Sequence, residues 1–170
     1  MHILVGLALA AAALAASPAN AGELFGGLYV HDVKTPLNLS GIEDGADVQL
    51  GYRGGRIGHT PIQPYAFGAF NTAGQTSYAA VGLSAKFGSR LFIRPGIGLA
   101  IHNGSSDGFD RPDRIAFGSR ILFEPELGIG ARITDRLTAE ASWVHMSHAQ
   151  LFGRQNPGID NIGVRLSLGL

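Results

Sequence analysis

Three side chains near the C-terminus, His145, Ser147 and Asp160, are of the types that together perform nucleophilic hydrolysis. A serine hydroxyl is a poor nucleophile until a base takes its proton. An imidazole serves best as that base when a carboxylate orients its other nitrogen. His145 and Ser147 are two positions apart, so on a β-strand they are neighbours on one face. Asp160 follows beyond a short intervening stretch and comes beside them if the chain turns back on itself. The backbone N–H groups of Ala149 and Gln150, just past the serine, are candidate donors to a developing oxyanion. Such chemistry requires no metal and no cofactor.

These residues need strands to hold them, and the C-terminus supplies the clearest strand signal. Ile162, Val164, Leu166, Leu168 and Leu170 alternate with Asn161, Gly163, Arg165, Ser167 and Gly169. That is period two along a whole segment, apolar on one side and small or polar on the other. The same pattern puts Leu91, Ile93, Pro95, Ile97, Leu99 and Ile101 on one face. It recurs from Ile121 to Ile133, opposite Glu124, Glu126, Gly128, Gly130 and Arg132. Eight strands are predicted: 23–32, 45–54, 61–72, 76–87, 90–103, 117–133, 136–148 and 159–170. The connections 33–44, 104–116 and 149–158 are long and share one end, whereas the opposite end has mostly short turns such as Gly88-Ser89 and Thr134-Asp135.

Composition decides what the strands build. The unbroken apolar run Ile3–Ala16, followed by Ala19-Asn20-Ala21, reads as a secretion signal, with the mature chain beginning at Gly22 and forming one domain, 22–170. No later stretch approaches the roughly 20 apolar residues of a spanning helix. No cysteine is present, and 13 basic residues balance 13 acidic ones, so neither disulfides nor nucleic acid enter the argument. The fold expected is all-β, an eight-stranded antiparallel transmembrane β-barrel of the outer membrane. Its aliphatic faces meet lipid, while Arg94, Glu124, Glu126, Glu140, Arg132 and Arg165 pair inside. A soluble periplasmic barrel that binds a small ligand would need the reverse, with the aliphatic faces turned inward. His102, Asp107, Asp110 and Asp113 lie in or beside one long loop and read as solvated loop residues before they read as a calcium site.

In the strand 136–148, Leu137, Ala139, Ala141, Trp143, His145 and Ser147 share the outward parity. A tryptophan suits the membrane interface, but a histidine and a serine beside it have no packing purpose on a lipid face. Asp160 has the parity of Ile162 and Val164 and so also points outward. The cluster therefore stands at the rim of the wall, where the abundant substrate is a lipid of the outer leaflet. The segment His145-Met146-Ser147-His148-Ala149, with Asn156-Pro157-Gly158-Ile159-Asp160 after it, resembles the signature of the lipid A 3-O-deacylases of the PagL type. That resemblance implies Ser147 as nucleophile, His145 as base and Asp160 as the orienting acid. It also implies Asn156 near the oxyanion, and hydrolysis of the ester-linked 3-O acyl chain of lipid A. Asp160 stands where that family often has glutamate, and His148 where it usually has asparagine. Beside the serine, His148 is a candidate for positioning the substrate, although by parity it is an interior residue. Candidate partners are lipopolysaccharide, the surrounding outer-membrane lipids and a second copy of the chain in a homodimer. The alternative reading is a non-enzymatic barrel with a structural, adhesive or resistance role.

Overall fold

The alternating segments become strands whose aliphatic side faces outward. In Leu91–His102, the exposed residues are Leu91, Ile93, Pro95, Ile97, Leu99 and Ile101, while Phe92, Arg94, Ala100 and His102 are buried. A soluble core would reverse this, so the apolar belt is a lipid-facing surface. This computed structural model describes residues 22–36, 38, 41–106, 112–149 and 157–170. The proposed signal segment, Asp107, Asp110, Gln150 and Asn156 lie outside the described residues.

The strands are β1 (Glu23–Val30), β2 (Ala46–Arg53), β3 (Ile62–Asn71), β4 (Tyr78–Ala85), β5 (Phe87–Gly88), β6 (Leu91–His102), β7 (Ile121–Arg132), β8 (Leu137–Ser147) and β9 (Gly158–Gly169). β5 is a two-residue continuation of β4 beyond Lys86 and pairs only with β6, so the wall has eight staves. Every strand pairing is antiparallel. Among the described residues, the order β4-β3-β2-β1-β9-β8-β7-β6 is closed into a barrel by pairing of β4 with β6. β1 and β9 meet along their length, from Glu23 opposite Gly169 to Val30 opposite Ile162.

Two expectations need correction. The strand predicted over 117–133 begins only at Ile121, because Gly118 takes a left-handed φ of 71° and Phe117 turns into the mouth, where it is fully buried. Of the charges expected to pair inside, Arg132 lies exposed at the end of β7 instead. The interior network centres on Arg165. Its guanidinium donates to Glu126 (2.8 Å) and Glu140 (3.1 Å), and through Nε to Tyr29 and Gln49. Arg53 bonds Glu23 and lies 3.4 Å from Glu126; Arg94 bonds Glu23 (2.7 Å) and lies 3.4 Å from Glu140. Glu124 accepts a hydrogen bond from the Tyr65 hydroxyl. Each buried charge thus has opposite charges or donors around it, which is what makes burial tolerable.

Candidate active site

β8 and β9 form a hairpin in which His145 lies directly opposite Asp160 and Ser147 directly opposite Gly158. Directly opposed residues have Cβ atoms about 5 Å apart, so the short aspartate arm suffices. His145 Nδ1 lies 2.8 Å from Asp160 Oδ1, and His145 Nε2 lies 3.0 Å from Ser147 Oγ. An ionised carboxylate only accepts, so Nδ1 carries the hydrogen and Nε2 is left to accept from the serine hydroxyl. The structure therefore brings three of the sequence-derived candidates into one hydrogen-bonded chain. The ladder between β7 and β8 skips Glu124 and Pro125, opposite His145 and Met146. Proline has no N–H to donate to a ladder.

Although all three have outward parity, they are sheltered: Asp160 is fully buried and Ser147 is 6% exposed. Part of the cover is the 31–45 connection between β1 and β2, hereafter loop 1. The Val33 N–H donates to the Asp160 carbonyl (2.7 Å), and the Thr35 hydroxyl donates to Asp160 Oδ2. The indole N–H of Trp143 donates to Asp160 Oδ1 (2.9 Å), with its ring stacked 5.9 Å from that of His145.

Loop 1 is itself held by two buried residues. Asp32, in a left-handed conformation (φ 48°), accepts from the N–H groups of Ile42 and Glu43 and from the Asn38 amide, and its own N–H bonds the Asn161 side chain. His31 sits between two carboxylates, with Nε2 3.1 Å from Glu43 and Nδ1 2.9 Å from Asp47. Burial alone would favour the neutral ring. The hydrogen bonds to Asp47 and Glu43 outweigh it and raise the His31 pKa to about 9. Burial likewise opposes ionisation of Glu43, but His31, the Ile115 N–H and Thr76 together hold its pKa below the usual carboxylate value. Through these bonds Glu43 ties loop 1 to the connections that follow β3 and β6.

Of the remaining candidates, Ala149 is exposed with a left-handed φ of 52° immediately after the site. His148 is buried; a Cβ on Gly118 would lie 3.7 Å from its Nε2, so its ring packs beside the β6–β7 connection. His102 Nε2 is 2.8 Å from the Ser119 carbonyl. Among the described residues no group of three or more His, Asp or Glu could hold a metal ion.

The family model described as lipid A 3-O-deacylase (PagL) matches this chain over residues 38–169. The chain belongs to that family. No curated protein matches it by sequence. Among solved structures, the outer membrane enzyme PagL is similar at a TM-score of 0.57 and 17% identity, covering 87% of this chain and 99% of that one. Neisserial surface protein A is similar at 0.54 and 11% identity, over 88% and 97% of the two chains. A de novo designed transmembrane β-barrel is similar at 0.57 and 9%, over 91% and 98%. At these identities the likeness is one of fold, that of small membrane barrels; membership of the deacylase family rests on the family model.

Sequence reasoning missed three residues of this candidate site. Gly158 has a local signal in the Asn-Pro-Gly segment. It faces Ser147, and a Cβ there would fall 3.0 Å from both His145 Cε1 and the Met146 carbonyl. Trp143 has the parity and place of an interfacial anchor, and nothing in the sequence signals its bond to the acid. Thr35 lies 125 positions from Asp160, and no periodicity links them.

Proposed function

We propose that this member of the PagL family is an outer-membrane serine esterase that removes the 3-O acyl chain of lipid A. The observation that carries the reading is the Asp160–His145–Ser147 hydrogen-bond chain on the lipid-facing side of the wall. The family match supports the substrate. In this reading Ser147 Oγ attacks the carbonyl carbon of the ester while its proton passes to His145 Nε2. Asp160 stabilises the imidazolium that forms. The tetrahedral intermediate collapses with cleavage of the bond to the sugar oxygen, which leaves with the proton from His145. Water, deprotonated by the same imidazole, then attacks the acyl-serine, and the products are a free fatty acid and lipid A with a 3-hydroxyl. Backbone N–H groups at Ala149 and Gln150, with Asn156, are the proposed oxyanion donors. An N-terminal secretion signal over residues 1–21 would deliver the chain to the outer membrane, with the long loops outside the cell.

Mass spectrometry of lipid A from cells producing the intact protein or Ser147→Ala tests this directly. The expected result is loss of one ester-linked acyl mass with the intact protein and unmodified lipid A with the variant. A Ser147→Ala protein that still deacylates would remove the serine from the mechanism. Unmodified lipid A in both, with the barrel inserted, would remove the activity.

A further inference from the structure

The carboxylate of Asp160 is engaged on both oxygens by groups that no hydrolytic triad in itself requires. Oδ1 accepts from Trp143 Nε1 (2.9 Å) as well as from His145, and Oδ2 accepts from the Thr35 hydroxyl. The direction of that last bond is fixed by its surroundings. The Asn38 N–H donates to Thr35 Oγ1 (3.2 Å), which occupies a lone pair and leaves the hydroxyl hydrogen for the carboxylate. The Thr35 and Asn38 backbones also bond each other in both directions (2.8 and 3.2 Å), and the Asn38 amide donates to Asp32 Oδ1 (2.9 Å). The Val33 N–H completes the attachment on the Asp160 carbonyl.

An aspartate reaching across a strand pair has two torsions with which to miss the imidazole, and a bond to each oxygen removes that freedom. Resting on the triad reading above, we propose that Thr35 of loop 1 and Trp143 of β8 are positioning residues that hold the Asp160 carboxylate in line with His145. Loop 1 is thereby a working part of the esterase site. Thr35 acts through Asp160.

Thr35→Val keeps the shape and removes the donor; Thr35→Ser keeps the donor; Trp143→Phe keeps the aromatic stack and removes the indole N–H. Each would be purified as a folded barrel, confirmed by heat-modifiable migration. Each would then be assayed for kcat and KM on lipid A in detergent micelles, and for the rate at which a fluorophosphonate labels Ser147, with Ser147→Ala as the blank. The loss of one charge-assisted bond to the acid predicts a kcat and a labelling rate lowered roughly tenfold in Thr35→Val and in Trp143→Phe. KM should stay within about twofold and Thr35→Ser should recover most of the rate. Unchanged rates in Thr35→Val and Trp143→Phe, or a Thr35→Ser protein as slow as Thr35→Val, overturn the proposal. If Ser147 labels in the intact protein while lipid A is left whole, the substrate reading fails, and the ratio of labelling rates still decides the positioning role. An intact protein whose Ser147 does not label overturns both.

Discussion

Gly158 stands where any side chain would crowd the site. A Cβ there would press on the ring that carries the proton and on the Met146 carbonyl behind it. Gly158→Ala should therefore displace His145 by a few tenths of an ångström and lower kcat about tenfold or more, since small misplacements of a reacting group are costly. Its barrel should still form, because Gly158 is the first residue of β9 and lies at the mouth of the wall. Activity equal to the intact protein would show that the ring adjusts freely. At this scale the sequence is legible where the information is local. His145 and Ser147 share a face by parity alone, and Asp160 joins them because a hairpin pairs β8 with β9. Thr35 was illegible for the opposite reason. Its position depends on Asp32 adopting a left-handed backbone and collecting four hydrogen bonds within and beyond loop 1, and no spacing rule encodes that.

The strands were readable within a few residues because period-two alternation extends to their ends. The start of β7 was misplaced because Phe117 continues the apolar pattern while Gly118 breaks the backbone. The loops depend on charge. The His31–Glu43 pair stabilises loop 1 only while the ring is protonated and the carboxylate ionised. The His31 share is fully present below its unfolded pKa of about 6.5 and is lost as pH rises through about 9. The Glu43 share is present above the ordinary glutamate value and is lost as pH falls through its lowered one. The thermal midpoint of the barrel should accordingly be highest in mildly acidic buffer and fall toward pH 10. His31→Gln should start lower and flatten that alkaline decline. Parallel declines in the two proteins would dismiss His31 as the source.

For the molecule as a whole, the architecture sets an ionic network beside a cluster of buried aromatic and aliphatic side chains inside, and an apolar belt outside. Arg165→Met removes the closest partner of Glu126 and of Glu140, leaving each with one arginine at 3.4 Å. Breaking such a buried pair costs about 3–5 kcal/mol, which a denaturant titration of the folded, detergent-solubilised barrel would register. A change under about 1 kcal/mol would mean that Arg53 and Arg94 take over. On the outer side, Val164→Arg should cost about 2–4 kcal/mol if that position lies near the bilayer centre, and little if it does not. The inverted burial was legible from the strands' alternation and the apolar N-terminus taken together. That Glu23 and Arg53 join the interior charges was not, because they stand at the ends of β1 and β2 and no spacing links them to Arg94, Glu126 or Glu140. Closure has a consequence in time as well as in shape. Loop 1 follows the first strand and Asp160 stands on the last, so the Thr35–Asp160 bond spans the seam where the two ends of the chain meet. A β8–β9 hairpin still in transit can align serine, histidine and aspartate, but not this bond. If Thr35 positions the acid as proposed, the site reads out the completion of its own container, and full activity would wait until the chain has sealed itself in its membrane.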